Sequence, residues 1–260
     1  MVAEGRNSLA ADDLASPAAL QQNLENVEAA IEEACRRAGR TRSEIDLMAV
    51  SKTYPASTIV DAASVGLRLF GENRVQEFAA KASDATALRQ LCGTEEIRVH
   101  LIGHLQSNKA ARAAELFDAV DSLDSLRLAE RLNEAAGRLN KRLPVLLEVK
   151  LSAEETKEGL DPNSRDTAAL LERLPDLEHL QMQGLMTIAP WGVPEDQTRA
   201  CFGALRHIRD TWAAAYPRLN FDVLSMGMSG DFQIAIEEGA TRIRIGTALF
   251  GKRKPYMGPQ

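Results

Sequence analysis

Eight short apolar stretches alternate with helical patterns along this chain, and this alternation limits the possible folds more than any other feature. The predicted strands are 46–51, 67–70, 98–102, 119–121, 144–150, 180–185, 223–225 and 242–245. The predicted helices between them include 108–117, 126–140, 166–173, 195–216 and 230–238. Such a succession favours a single (β/α)8 TIM barrel, which typically takes about 250 residues. An open doubly wound sheet is the alternative, but no GxGxxG follows the first strand.

An extra helix is predicted before the first strand. Ser16 and Pro17 are typical of a helix N-cap and first turn, and Gly39 is typical of a helix end. No Pro/Gly/Ser-rich linker divides the chain. We therefore expect residues 1–16 to form a loose tail, residues 17–254 to form one barrel domain, and residues 255–260 to form a short C-terminal tail.

Composition excludes several classes of function. The 260 residues carry a formal net charge of −6, so a basic nucleic-acid surface is not expected. No apolar run approaches the roughly 18 residues of a membrane span, and the N-terminus lacks a signal peptide. The three cysteines are odd in number and form no CxxC, which favours a cytoplasmic protein. The four histidines show no metal-binding spacing with acids or cysteines, so no metal site is predicted.

Lys52 directly follows the first predicted strand, in the sequence AVSKTYP. Burial at a strand end disfavours the charged form of a lysine and lowers its pKa, and a neutral lysine attacks aldehydes. Lys52 is therefore a candidate Schiff-base lysine. The alternative is a surface lysine whose aliphatic stem is buried and whose ammonium group lies in water.

Polar residues and glycines gather where the other predicted strands end. In a TIM barrel the carboxyl ends of the strands form one rim, and the chemistry takes place there. The predicted rim residues are Gly71, Glu72, Asn73, Gly103, His104, Ser122, Asp124, Lys150, Met186, Thr187, Met226, Ser229, Gly246 and Thr247. A packed barrel without a ligand would not need so many polar groups on one rim.

The last two strands are followed by GMSGD and IGTALFG, each of which leads into a helix. Both loops place small residues and backbone N–H groups at a helix start, where an anion is stabilised. Ser229 and Thr247 can add hydroxyl donors. The loops after strands seven and eight often bind phosphate in barrels, although two tight turns would give the same pattern.

Arginines 242 and 244 alternate within the eighth predicted strand, so they share one face of that strand. An inward Arg244 could bond a ring nitrogen or a carboxylate, or it could belong to an ion pair beneath the barrel. Asn73, after the second strand, can donate an amide hydrogen bond to a ligand. His104 is a possible acid or base, and Ser107 or Asn108 is a possible helix cap.

Several motifs together resemble one known family. The runs AVSKTYP, FGENRVQE, HLIGHLQSNK, KEGL, GLMTI, LSMGMSGD and RIRIGTALFG occur in the order and spacing of the pyridoxal phosphate homeostasis proteins. These are single-domain barrels related to the N-terminal domain of alanine racemase. The resemblance covers about residues 20–252. Gln233 departs from it, since the family more often has an acidic residue there.

The resemblance implies a set of site residues. Lys52 matches the lysine that forms a Schiff base with pyridoxal 5′-phosphate, and Arg244 matches the arginine that faces the pyridine nitrogen. Asn73 matches a residue beside the ring, and Ser225 matches a further residue of the pocket. The phosphate-binding residues implied are Ser229, Gly246 and Thr247.

Three functions fit these residues. The resemblance implies a protein of vitamin B6 homeostasis that holds pyridoxal phosphate and transfers it to apo-enzymes, without robust turnover or catalytic residues of its own. A single compact barrel is expected to be a monomer. A racemase is the first alternative, but racemases of this fold add a β domain, for which no residues are expected here after the eighth strand. A cofactor-free barrel aldolase is the second alternative, and it does not explain the full set of motifs.

Overall fold

The computed structural model describes residues 16–92, 96–151 and 158–251. In this part of the chain eight parallel strands close into a barrel in sequential order, and β1 pairs with β8. The strands are β1 Asp46–Val50, β2 Leu69–Glu72, β3 Arg98–Leu101, β4 Ala119–Leu123, β5 Leu143–Glu148, β6 Leu180–Met186, β7 Val223–Ser225 and β8 Arg242–Ile245. The predicted (β/α)8 architecture is confirmed.

Helices surround this barrel. They are α1 Pro17–Ala38, α2 Ala56–Ser64, α3 Val75–Asp84, α4 Thr86–Leu91, α5 Ala110–Leu116, α6 Leu126–Arg138, α7 Arg165–Arg173, α8 Glu195–Ala215, α9 Phe232–Glu237 and α10 Thr247–Phe250. Short 3-10 turns occur at Arg42–Glu44, Ser107–Lys109 and Leu174–Asp176. The possible cap at Ser107 or Asn108 is wrong, because both residues lie inside such a turn and α5 begins after them without a side-chain cap.

The extra N-terminal helix is confirmed as α1. The Ser16 side chain accepts a hydrogen bond from the backbone N–H of Ala19, and Gly39 ends the helix in the left-handed conformation with φ of 67°. A glycine adopts this conformation without a Cβ penalty. The buried face of α1 includes Leu20, Val27 and Ile31, and the helix packs against α9 and α10. The predicted tails fall almost entirely outside the described residues.

The apolar core has two parts. The larger cluster lies between the barrel and its helices, and it includes the β1 residues Leu47 and Ala49. A smaller cluster consists of Met48, Val50 and Ile102. Because alternate residues of a strand face opposite sides of the sheet, β1 buries one set of side chains against the helices and the other inside the barrel.

Charged groups occupy the barrel interior on the amino side of the strands. Buried Arg242 donates to Asp121 Oδ2 at 3.4 Å and to Asp46 Oδ2 at 3.2 Å. His100 Nδ1 lies 3.0 Å from Asp121 Oδ1. Burial acts to raise the pKa of Asp121, but His100 and Arg242 outweigh it and the pKa lies below its usual value. The structural ion pair proposed for this strand is therefore made by Arg242.

Some strand ends differ from the predicted ones. Gly71 and Glu72 still pair with β3, so β2 runs two residues further than predicted, and Ser122 lies inside β4. Lys150 does not end β5, because the strand stops at Glu148 and Val149 forms an isolated bridge to Leu160. Backbone pairing with a neighbouring strand decides these ends, and the sequence of one strand does not record it.

Among the described residues no helix is both long enough and apolar enough to cross a membrane. Cys35, Cys92 and Cys201 form no disulfide bond with one another in the described part of the chain.

Candidate functional site

A cavity of about 450 Å³ opens at the carboxyl ends of the strands. Its lining comes from the loops after β1, β2, β3, β6, β7 and β8, together with Val50 and Arg244 from the strands. The lining residues are Val50, Lys52, Asn73, Ile102, Ile188, Trp191, Met228, Ser229, Gly230, Arg244, Gly246 and Thr247. Six of the seven predicted site residues are among them. Ser225 is the exception, and it contacts the cavity through Arg244.

Lys52 is half-buried and lines this cavity two residues after the end of β1. The next residue, Thr53, has φ of 67°, a conformation that is strained for a β-branched side chain. The backbone N–H of Thr53 donates to Glu77 Oε1 at 2.5 Å, which holds this turn. Local backbone strain of this kind concentrates at functional sites.

A buried polar network fixes the segment before Lys52. Ser51 Oγ donates to Glu72 Oε1 at 2.7 Å, and Lys81 Nζ donates to the same oxygen at 2.8 Å and to the Ser51 carbonyl at 3.0 Å. Lys81 also pairs with Glu77 at 3.0 Å. Burial raises the pKa of Glu72, although Lys81 opposes this effect. The network therefore ties the start of the Lys52 turn to β2 and α3.

Arg244 projects from β8 into the cavity and is 4% exposed. Its Nη1 donates to the Ser225 carbonyl at 2.7 Å and to Ser225 Oγ at 2.8 Å, and its Nη2 donates to the Thr187 carbonyl at 2.8 Å. A guanidinium has five N–H donors, so these bonds fix its plane and leave other donors for a ligand. Ser225 therefore orients Arg244, and its place among the cofactor-binding residues stays a prediction.

The loops after β7 and β8 face each other across one side of the cavity. Ser229 Oγ accepts a hydrogen bond from the Ala248 N–H at 3.3 Å, which leaves the hydroxyl proton of Ser229 to donate. Asp231 Oδ1 accepts from the Met228 N–H at 2.5 Å and shapes the first loop. The backbone N–H groups of Gly230 and Thr247 donate no hydrogen bond to any other described residue. Such a group of donors can bind an anion.

The close contact between the loops after β2 and β3 determines the position of Asn73. A Cβ added at Gly103 would lie 2.3 Å from the Asn73 carbonyl oxygen and 2.6 Å from Asn73 Oδ1. Ser122 Oγ donates to the Gly103 carbonyl at 2.7 Å and supports the same loop. Only glycine permits this approach at position 103, so the small residue allows Asn73 to line the cavity.

A second cavity of about 270 Å³ adjoins the first, and both are lined by Lys52, Asn73, Ile102 and Ile188. Its other lining residues are Gly103, His104, Glu148, Val149, Lys150, Leu151 and Glu158. Burial raises the pKa of Glu148 to about 7, with Arg244 acting in the opposite direction. His104 Nδ1 lies 3.0 Å from Asp124 Oδ2, so the histidine is hydrogen bonded.

Sequence reasoning missed Glu148 and the network of Ser51, Glu72 and Lys81. Glu148 is the last residue of an otherwise apolar β5, and a single acid at the end of a buried strand was a usable signal. Lys81 gave no such signal, because Glu72 and Ser51 lie 9 and 30 residues away along the chain, and its nearby partner Glu77 forms only an ordinary i,i+4 helix pair. Gln233, where the sequence departs from the resembled family, is exposed and does not line either cavity.

These groups together suit a ligand that carries an aldehyde and a phosphate. Lys52 supplies an amine, the loops after β7 and β8 supply N–H and hydroxyl donors, and Arg244 supplies a fixed guanidinium. A cavity of this size falls within the range of small-molecule sites.

Comparison with known proteins assigns the family. The alanine racemase N-terminal domain family matches residues 18–254. A pyridoxal phosphate homeostasis protein of Vibrio cholerae is 43% identical over 236 residues, which cover 90% of this chain and 96% of the relative. The protein of the same name from Escherichia coli K12 is 39% identical over 235 residues, covering 90% of this chain and 97% of the relative.

Solved structures agree with this assignment. PipY of Synechococcus elongatus, solved with pyridoxal phosphate bound, is 41% identical with a TM-score of 0.77 and covers 89% of this chain and 100% of its own. An alanine racemase of Clostridium difficile is 17% identical with a TM-score of 0.71, covering 91% of this chain and 57% of its own, and it shares the fold. The chain therefore belongs to the alanine racemase N-terminal domain family and, within it, to the pyridoxal phosphate homeostasis proteins.

Proposed function

We propose that this chain binds pyridoxal 5′-phosphate through a Schiff base on Lys52, and that it serves vitamin B6 homeostasis by holding and transferring this cofactor. The observation that carries the proposal is the 450 Å³ cavity, which brings Lys52, Arg244 and the loops after β7 and β8 together. The names of relatives that align over 90% of this chain support it.

The residues of the cavity fit this cofactor. Ser229, Gly246 and Thr247 would hold the phosphate through hydroxyl and backbone donors, and Lys52 would hold the aldehyde carbon. Asn73 would lie beside the ring, and Arg244 would donate to the pyridine nitrogen. Bound pyridoxal phosphate supplies an aldehyde for reversible attachment and a ring that can accept electrons.

Arg244 limits the chemistry available at this site. A guanidinium is always protonated and cannot accept a proton from the ring nitrogen. Its plane is fixed by the Ser225 and Thr187 carbonyls, so it cannot turn away to let an acid take its place. A pyridine nitrogen that faces this guanidinium therefore stays unprotonated. The neutral ring is a weaker electron acceptor than a protonated ring, which supports a carrier more than an enzyme with robust turnover.

The racemase alternative needs a second base opposite Lys52. Tyr54 is buried and its hydroxyl donates to the Gly251 carbonyl at 2.7 Å, and Tyr216 lies at the end of α8. Neither of these two described tyrosines lines the cavity, and Tyr256 lies outside the described residues. The described part of the site therefore gives the racemase alternative no specific support.

The proposal is tested by the visible absorption spectrum of the purified protein before and after borohydride. The wild-type protein should be yellow with a Schiff-base band, and borohydride should fix the cofactor covalently to Lys52, as shown by peptide mass spectrometry. The Lys52→Ala variant should lack the band. Lys109→Ala is the matched control, because Lys109 lies outside both cavities and bonds Gln76. An unchanged band in Lys52→Ala would disprove the assignment.

Carrier and racemase are separated by two further measurements. Transfer of pyridoxal phosphate from the loaded protein to an apo-enzyme supports the carrier. Sustained exchange of the Cα proton of alanine in D₂O supports the racemase instead.

We also propose a single barrel domain over residues 17–254, with 1–16 and 255–260 as tails, and a monomer that delivers its cofactor to apo-enzymes. The three cysteines form no disulfide bond with one another among the described residues, which favours the reducing cytoplasm as its location.

A further inference from the structure

Three metal-ligating side chains meet beside the second cavity, although they are far apart in the sequence. His104 follows β3, Asp124 directly follows β4, and Glu158 lies after β5. His104 Nδ1 is 3.0 Å from Asp124 Oδ2 and 3.8 Å from Glu158 Oε2, and one ligand atom of each residue lies within 4.8 Å of the others. Among the described residues no other group of three histidine, cysteine or acidic side chains meets this condition.

The spacing of these atoms suits a small divalent cation. Zinc binds nitrogen and carboxylate ligands at about 2.0–2.2 Å, so two ligands in tetrahedral geometry lie about 3.4 Å apart. The two distances from His104 Nδ1, at 3.0 and 3.8 Å, lie on either side of this value. An ion could therefore enter with small side-chain movements.

Glu148 is an independent observation that points to a ligand. Its side chain lines the same cavity as His104 and Glu158 and is 8% exposed. No hydrogen bond joins its carboxylate to another described residue, and the electrostatic effects of Asp124, His104 and Glu158 all reach it. Its carboxylate oxygens are not fully buried, so they reach the cavity, where a cation would offset the cost of their partial desolvation.

Lys52 and Lys150 also line this cavity, so net charge alone does not select a cation there. Selection would come from ligand type, since one imidazole and two or three carboxylates suit zinc better than magnesium. Magnesium prefers six oxygen ligands and retains its water.

We propose that His104, Asp124 and Glu158 bind one divalent transition-metal ion of the zinc class, with Glu148 as a fourth ligand or as a carboxylate that balances its charge. The ion would replace the proton that His104 Nδ1 shares with Asp124. It would also link the ends of β3, β4 and β5, and so stabilise the rim beside Lys52. The site lies beside the second cavity, which adjoins the cavity proposed for the cofactor and shares Lys52, Asn73, Ile102 and Ile188 with it. Zinc binding is measured without the cofactor, so its test does not depend on the proposed function.

The experiment uses the full chain, treated with EDTA and dialysed, and titrated with zinc chloride by isothermal titration calorimetry. We expect one zinc ion per chain and a rise in melting temperature. His104→Ala and Asp124→Asn should each weaken binding at least tenfold, and magnesium should bind far more weakly than zinc. Far-UV circular dichroism and melting without metal verify that each variant is folded.

His207→Ala is the matched control, because His207 is exposed on α8 and lies outside both cavities. It should bind zinc like the wild-type protein. The proposal is overturned if the wild-type chain binds no zinc, or if folded His104→Ala binds it unchanged.

Discussion

Burial imposes an electrostatic cost on Glu148, which lines the second of the two cavities. Burial raises the pKa of its carboxyl from 4.5 to about 7. The folded protein therefore binds this proton more tightly than the unfolded chain does. Below pH 4.5 both states are protonated and folding costs nothing at this residue, whereas above pH 7 both are ionised and the full cost is present. Ionisation of Glu148 therefore lowers the free energy of unfolding as the pH rises from about 4.5 to about 7.

Replacing Glu148 by glutamine should remove this cost. A shift of this size corresponds to about 3 kcal/mol as an upper limit. We expect Glu148→Gln to raise the free energy of unfolding relative to wild type at pH 8, and to change it little at pH 4.5. The measurement is urea denaturation with EDTA present at both pH values. Glu158→Gln, at an exposed position, is the control and should show no such difference. An equal gain at both pH values would contradict the assigned cause.

At the scale of elements, some helix and strand boundaries followed from local sequence and others did not. The bounds of β7 and β8 were predicted correctly, and so were those of α1, because Ser16, Pro17 and Gly39 are local signals. The end of β2 was not, since it depends on pairing with β3.

The rim residues were found because a barrel brings all strand ends to one face. The group of His104, Asp124 and Glu158 could not be found in the same way, so the sequence predicted no metal site. Its members are separated by 20 and 34 residues, and only the closure of β3, β4 and β5 brings them together.

The loops after β7 and β8 belong together as a phosphate-binding element in the proposed function. Ser229→Ala removes both a hydroxyl donor and the acceptor for the Ala248 N–H, and Thr247→Ala removes an exposed hydroxyl. A hydrogen bond to a charged group contributes about 1.5–3 kcal/mol. We expect each change to weaken pyridoxal phosphate binding by roughly 10- to 100-fold. The position of the Schiff-base band should stay the same, because Lys52 is untouched.

Equilibrium dialysis against pyridoxal phosphate measures this effect, with Ser83→Ala on the exposed side of α3 as the control. Unchanged affinity in both loop variants would argue against a phosphate at this position. A lost band with unchanged affinity for phosphate would instead place these hydroxyls near the aldehyde.

At the scale of the whole molecule, the barrel separates a structural end from a ligand-binding end. Arg242 and Arg244 lie two residues apart on β8, yet one bonds Asp121 and Asp46 near the amino ends of the strands while the other faces the cavity. This division accords with the general rule that the carboxyl ends of barrel strands carry function and the amino ends carry stability.

Substitution of Asp121 should therefore affect stability more than ligand binding. Asp121→Asn would leave Arg242 with only Asp46 as an acidic partner and would weaken the contact with His100. Breaking a buried ion pair costs about 3–5 kcal/mol, whereas an exposed pair contributes about 1 kcal/mol or less.

Asp46→Asn is the matched control, because the Asp46 side chain is 60% exposed and pairs with the same arginine. Urea denaturation should show a large loss for Asp121→Asn and a small one for Asp46→Asn. Both folded variants should keep the Schiff-base band, since neither residue lines the cavity. Equal destabilisation by the two changes would show that the buried network does not act as the structural centre of the barrel.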